Sequence, residues 1–135
     1  MFTFDAFFDH IGDADWLGII VATIATMILS WLWYAPLFGK AWASATGQAA
    51  GDMDPTKIAT TGITLLVFNF GLSFFAFDDI EHALVMGLIF GVLLIAMAMY
   101  AGVVWTSYSA RAYLIDATYW VAVVIVGAFV QGLML

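Results

Sequence analysis

The chain has 135 residues, of which 65% are hydrophobic and only 10% are charged, and its formal net charge is −7 at pH 7. Soluble domains average about 45–50% apolar and about 25% charged residues, so this composition excludes an ordinary water-soluble globule. The absence of cysteine excludes disulfides, thiolate metal sites and thiol catalysis. The acidic balance excludes nucleic acid as a partner and argues against an anionic lipid surface as the main attractor.

The first 15 residues are predicted to form a short amphipathic helix in the membrane interface. Four apolar residues recur there at helical spacing: Phe4, Phe7, Phe8 and Ile11. The acidic residues of the segment fall largely on other faces of the helix. The apolar face is expected to lie in the interface or to dock on the bundle or another protein. Because the segment has no basic residue, it lacks the n-region of a cleavable signal peptide, and we expect Met1 to be retained.

Four apolar runs follow, and each is long enough to cross about 30 Å of hydrocarbon as a helix. They are predicted at residues 16–34, 55–77, 82–105 and 116–135. Lipid requires every backbone polar group to be paired internally, so we predict an all-α fold, an integral membrane four-helix bundle over residues 16–135. Pro36 is expected to end the first helix. Asp54 and Pro55 are expected to begin the second, and Asp116 to lie at the start of the fourth.

The three cations indicate the orientation. Lys40 and Lys57 lie in the first loop and Arg111 in the third, and these two loops share a side in a four-span protein. The positive-inside rule makes that side cytoplasmic, which gives an N-out/C-out topology. Seven acidic residues then fall on the outer side: Asp5, Asp9, Asp13, Asp15, Asp78, Asp79 and Glu81. The small polar stretch of residues 43–53 is predicted to be a mobile connector.

Small residues form two pairs in the third span, each pair four residues apart, and they are the candidates for close helix packing: Gly87 with Gly91, and Ala98 with Gly102. This spacing lets two helix backbones approach closely. We favour a contact within the chain, and a contact between chains stays open.

Polar side chains inside the spans are the candidates for interhelical bonds: Asn69, Ser73 and Gln131. Asn69 and Gln131 are costly to bury alone, so we expect them to bond across helices at similar depth. They can staple the bundle or line a small polar cavity, and we favour the staple. No Asp, Glu, Lys or Arg lies in the middle of a span, which argues against an ion pump.

The two histidines, His10 and His82, are weak candidates for haem or pigment ligation. Both lie among acidic residues at the predicted outer boundary, and neither has a companion at ligand spacing. We therefore predict no cofactor and no metal. The sequence also contains no recognised catalytic motif, so we predict that the protein is not an enzyme.

The stretch SWLWYAPLFGKAW, residues 30–42, is predicted to anchor the end of the first span at the membrane boundary rather than to bind a ligand. Aromatic rings favour the headgroup level, and a lysine there reaches the headgroups while its stem stays apolar. The anchor residues are Trp31, Trp33, Tyr34, Pro36, Gly39, Lys40 and Trp42. Gly39 is expected to permit a turn after Pro36.

The same stretch resembles a motif of small bacterial membrane proteins, the domain of unknown function numbered 1761. That motif reads aromatic–Tyr–small–Pro–Leu–Phe–Gly–Lys–x–Trp. The matching residues are Trp33, Tyr34, Ala35, Pro36, Leu37, Phe38, Gly39, Lys40 and Trp42. The closing segment LIDATYWVAVVIVGAFVQGL also resembles the family's last helix. The resemblance implies a four-helix membrane protein, here expected in the bacterial inner membrane as a multi-pass protein, and it carries no activity with it.

Our leading hypothesis from the sequence is a structural or accessory subunit of a membrane complex, or a homo-oligomer. Its expected partners are the lipid bilayer and either other membrane protein subunits or a second copy. One alternative is a small-solute transporter or channel built from several copies, with Thr64, Asn69, Ser73 and Gln131 near the path. Another is a subunit associated with a pigment or a quinone.

Overall fold

A computed structural model describes residues 3–48, 54–75 and 79–134, and the regular structure in these ranges is entirely helical, as predicted. In chain order the helices are α1 (Phe4–Asp13), α2 (Trp16–Leu32), the π-helix π1 (Trp33–Leu37), α3 (Gly39–Thr46), α4 (Pro55–Leu72), α5 (Ile80–Leu88), the π-helix π2 (Ile89–Ala96), α6 (Met97–Trp105) and α7 (Ala110–Met134).

Helix α7 lies at the centre of the bundle. It packs against α2 on one side and against α5 and π2 on the other, and α4 packs against α2 and contacts α7. Helices α2 and α7 run antiparallel, because Gly18 lies against Met134 at one end and the Trp33 indole bonds to the Ile115 carbonyl at the other. The core is formed by two buried clusters, Leu65 with Tyr119 and Val123, and Leu72 with Ala83, Val124 and Ala128.

In the described part of the chain, three helical stretches are long and apolar enough to cross a membrane: Trp16–Leu37, Ile80–Trp105 and Ala110–Met134. Helix α4 has 18 residues but is not among these candidates, because its threonines, Lys57 and Asn69 lower its hydropathy. A fourth span at α4 therefore stays a prediction. Residues 77 and 135, the predicted ends of the second and fourth spans, lie outside the described residues.

The expectation that Pro36 ends the first helix is wrong. The chain continues through Pro36 as the wider π1, where the Phe38 N–H bonds to the Trp33 carbonyl at 2.8 Å, five residues back. A π turn shifts the hydrogen-bonding register, so it accommodates a residue that has no N–H. A turn does follow Pro36, at Phe38, and Gly39 is buried at the start of α3.

Two further expectations about helix ends are corrected. The stretch of residues 43–53 is not a connector throughout, because α3 continues to Thr46 and ends at Gly47, whose φ of 73° suits glycine. Residues 49–53 lie outside the described part. Asp116 does not begin the last helix, since α7 begins at Ala110 and places Asp116 well inside it. Asp78, in the predicted acidic turn, is also outside the described residues.

The two ends of the bundle differ in charge. All three cations lie where α2 finishes and where α4 and α7 begin, and we call this the cation end. The start of α5 is at the opposite end, because Ala83 packs there with Leu72 and Ala128. The acidic residues described at that opposite end are Asp5, Asp9, Asp13, Asp15, Asp79 and Glu81.

Candidate functional site

The predicted interhelical polar residues Asn69 and Gln131 lie together in the core, and Asn69 also contacts Thr26 of α2. The Gln131 amide nitrogen donates to the Asn69 backbone carbonyl at 2.9 Å and reaches its side-chain oxygen at 3.4 Å. The Asn69 amide donates to the Thr26 hydroxyl at 3.2 Å and to the Leu65 carbonyl at 2.9 Å. All three polar side chains are buried. The network therefore links α2, α4 and α7.

Ser73 is not part of that network. Its hydroxyl donates to the Phe70 carbonyl at 2.6 Å, so it accepts a bond from the His10 ring Nε2 at 2.8 Å. The ring of Phe7 stacks on Phe74, with centroids 5.6 Å apart, beside this bond. Helix α1 thus docks on the end of α4, and His10 serves this contact.

His82 lies at the start of α5. Its backbone N–H donates to the capping carboxylate of Asp79 at 2.7 Å. Among the described residues, no group of three or more His, Cys, Asp or Glu side chains is placed to hold a metal ion.

The small residues of the third span divide into two pairs. A Cβ built on Gly91 would lie 2.9 Å from the backbone Cα of Val121, and one on Gly87 would lie 2.6 Å from Cγ1 of Ile125. These glycines therefore allow π2 and α5 to pack tightly on α7. Ala98 is exposed, and a Cβ on Gly102 would meet nothing within 4 Å. The structure does not bring this second pair against α7.

A cavity of about 650 Å³ opens at the cation end between α2 with π1, α3, α4 and α7. Its aromatic walls are Trp31, Tyr34, Trp42, Tyr119 and Trp120. Its polar lining consists of Ser30, Gln48, Thr56, Lys57, Thr60, Thr61 and Thr64, and its remaining lining of Met27, Ala35, Ile58 and Leu65. Among the described lining residues Lys57 is the charged one, and these residues include no carboxylate or histidine.

A carboxylate behind the cavity wall holds the aromatic side in place. The Tyr34 hydroxyl donates to Asp116 Oδ1 at 2.5 Å, and the Tyr108 hydroxyl donates to Oδ2 of the same residue. Deeper in the wall, Ser30 and Tyr119 share a hydrogen bond. Both oxygens of Asp116 are therefore engaged by tyrosines.

This environment changes the acidity of Tyr108, which lies before α7. Burial, followed by the hydrogen bond to Asp116 and its negative charge, raises the pKa of Tyr108 to about 12. The nearby Trp42 indole opposes part of this rise in pKa. That indole nitrogen is buried and makes no hydrogen bond of normal geometry in the described part of the chain.

The predicted membrane anchor supplies much of the cavity wall. Trp31, Tyr34 and Trp42 line the cavity, whereas the Trp33 indole donates to the Ile115 carbonyl at 3.0 Å in the core. Pro36 and Lys40 are exposed. Sequence reasoning missed the part that Asp116, Tyr108 and Tyr119 play in holding this wall. The pattern that could have indicated it is a carboxylate and two tyrosines beside an apolar run.

The motif of residues 33–42 and the start of the closing segment thus form one site, and a family model matches residues 17–132 of the chain. The chain belongs to the DUF1761 family. That family is described as protein of unknown function (DUF1761). The DUF1761 match begins in α2 and ends in α7, so it includes the cavity and leaves out α1. No curated protein and no solved structure matches the chain.

Proposed function

We propose that this protein is a non-enzymatic, multi-pass protein of the bacterial inner membrane that holds a small molecule in the cavity at its cation end. The observation that carries the proposal is the cavity itself. Its volume of about 650 Å³ lies within the range of roughly 300–1,000 Å³ typical of ligand sites. Such sites combine mostly apolar walls with a few placed polar groups, as this lining does.

The chemistry of the lining supports binding rather than catalysis. The hydroxyls of Ser30 and Thr60 bond to backbone carbonyls of their own helices at 2.8 Å each. Asp116 is screened from the cavity by Tyr34, which occupies one of its oxygens. The described lining therefore offers aromatic surface and hydrogen bonds, and its residues include no paired acid and base.

Co-purified small molecules test the cavity. Thr61→Trp fills it, and Thr118→Trp is the matched control because Thr118 is exposed on α7 outside the lining. Mass spectrometry of extracts from the purified protein is expected to find one stoichiometric small molecule in the wild type and the Thr118→Trp variant, and none in Thr61→Trp. Equal amounts in all three proteins would refute the proposal.

The proposed topology has four spans, with α4 as the second, and is N-out/C-out. The segregation of all three cations to one end supports it, because that end then faces the cytoplasm. Reporter fusions at the C-terminus provide the test. An active periplasmic alkaline phosphatase fusion is expected, and a fluorescent cytoplasmic fusion would contradict the topology.

An accessory subunit or homo-oligomer is the second candidate. The observation that favours it is the open face at Ala98 and Gly102, since small residues let another helix approach closely. Purification in mild detergent tests it, and a strictly monomeric particle without a co-purified subunit would count against it.

The transporter alternative has less support. It places four residues near the solute path, and Thr64 is the one among these four that lines the cavity. An absorption spectrum of the purified protein tests the pigment or quinone alternative.

A further inference from the structure

Helix α1 (Phe4–Asp13) carries large apolar side chains that its contacts with the bundle leave uncovered. Phe4 is 85% exposed and Phe8 is 65% exposed, and Ile11 is exposed beside them. At about 100° per residue these three side chains, which we call the apolar stripe, fall within about 60° of one another around the helix. None of the ten residues of α1, all of which are described, is buried. A helix of this length is marginal in water by itself, so a further surface is needed to stabilise it.

We infer that α1 lies in the bilayer interface at the end of the bundle opposite the cation end, where it braces α4. The apolar stripe contacts lipid, the acidic face of the helix contacts water, and a third edge contacts the chain at the end of α4. None of the residues in these contacts lines the cavity.

The connection between α1 and α2 places α1 at the membrane boundary. Two residues, Ala14 and Asp15, separate α1 from the membrane-compatible stretch Trp16–Leu37. Two residues span at most about 7 Å, so the last turn of α1 stays close to the level at which that stretch enters the bilayer. The Trp16 indole also donates to the Ile11 carbonyl at 2.9 Å, which ties α1 to the start of α2. Tryptophan itself favours the level of the lipid headgroups.

One edge of α1 contacts the residues that follow α4. The Phe7 ring stacks on Phe74, with centroids 5.6 Å apart and planes 10° from parallel. The centroid of the His10 ring lies 4.0 Å from that of Phe74, and its Nε2 bonds to the Ser73 hydroxyl at 2.8 Å. Phe7 and His10 lie about one turn apart on the same edge, so together they hold α1 on its side against the bundle.

The acidic face of α1 is turned away from the apolar stripe. Asp5, Asp9 and Asp13 are exposed, and their mean direction lies about 130° from that of the stripe around the helix. Interfacial helices often use a basic face to attract anionic lipid. The acidic face of α1 provides no such attraction, so apolar contact with lipid and docking on the bundle hold this helix. A neutral lipid is therefore sufficient for its position.

The contact with α1 matters most for α4. Helix α4 (Pro55–Leu72) is not among the candidate membrane spans of the described chain, so its own apolar surface holds it less firmly in lipid. Besides the docking of α1, the Trp16 ring stacks on Phe70 of α4, with centroids 5.3 Å apart and planes 4° from parallel. Helix α1 and the start of α2 thus hold this end of α4 through aromatic contacts, and loss of the α1 contact is expected to free it.

Spin labels on single cysteines test the position of α1, because the chain has no cysteine of its own. Phe8→Cys reports on the apolar stripe, and Asp9→Cys is the matched control on the acidic face. In phosphatidylcholine discs, oxygen concentrates in the hydrocarbon and a nickel chelate stays in water. We expect the label of Phe8→Cys to collide mainly with oxygen and that of Asp9→Cys mainly with nickel. Phe8→Cys would overturn the inference if its label collides mainly with nickel, or if a second copy or another protein shields it from both reagents.

Distances between two spin labels test the brace. Asp9→Cys and Ile63→Cys carry the labels, since Ile63 is exposed on α4 and lies about 15 Å along the helix from Ser73. Double electron–electron resonance is expected to give one narrow distance distribution. Phe7→Ala should broaden it, whereas Phe4→Ala, which removes the same ring from the apolar stripe, should leave it narrow. If the two alanine variants give the same distribution while helix content is unchanged, α1 does not brace α4 and the inference is wrong.

Discussion

Gly91 is a position where one added methyl group would meet the backbone of a neighbouring helix. In Gly91→Ala the new Cβ would lie 2.9 Å from the Val121 Cα and 3.0 Å from its Cγ2. Ordinary carbon contacts lie at about 3.5–4.0 Å. Because a backbone atom cannot rotate away, π2 and α7 must separate by about half an ångström. Overpacking of this kind costs about 1–3 kcal/mol.

Gly102→Ala is the matched control, since it adds the same methyl group further along the same membrane-crossing stretch. The control position is open, so the alanine is expected to stabilise its helix by about 0.5–1 kcal/mol through lower backbone entropy in the unfolded chain. Gly87→Ala should fall between the two, because its nearest neighbour is the side chain of Ile125, which can change rotamer.

Reversible unfolding in mixed micelles of a maltoside and dodecyl sulfate, followed by tryptophan fluorescence, measures these differences. We expect Gly91→Ala to be less stable than Gly102→Ala by about 1.5–4 kcal/mol, with Gly87→Ala in between. If Gly91→Ala proves as stable as Gly102→Ala, then α7 does not pack on the Gly91 face and the reasoning is wrong.

The buried amide network and the tyrosine pair give two further predictions. Asn69→Leu and Gln131→Leu should each lower the free energy of unfolding by about 0.5–2 kcal/mol in the same assay. The double variant should lose less than the sum of the two single losses, because the two residues share hydrogen bonds. Strictly additive losses would contradict the network. The pKa of Tyr108 is raised to about 12, which means that the fold favours the protonated phenol. The contribution of this phenol to the free energy of unfolding is therefore complete below about pH 10 and is lost as the pH rises to about 12. Asp116→Asn should lower the pKa of Tyr108 and reduce that loss of stability. Tyrosine absorbance and unfolding between pH 9 and 12 measure these two effects. Identical titrations of the variant and the wild type would refute the assignment.

Local chemistry predicted much of this protein without a structure. The apolar runs indicate membrane-compatible helices because their length and composition leave no other way to pair backbone groups in lipid. The motif around Pro36 was sufficient to suggest the family that the comparison then identified. The expectation that Asn69 and Gln131 lie near each other depended only on their depth in two spans, and the structure places them in hydrogen-bonding contact.

Tertiary structure alone decided where the site lies. Sequence reasoning assigned Tyr34 and Trp42 to a membrane boundary, because aromatic residues at the end of an apolar run have that meaning by default. It did not show that π1 continues through Pro36, or that α7 begins before Asp116 and so brings this carboxylate to Tyr34. Nor does local pattern distinguish Gly91, pressed against α7, from Gly102, which is open. The physical reason is the same in each case: the sequence specifies which side chains favour a membrane helix, whereas a cavity depends on how closely separate helices approach one another.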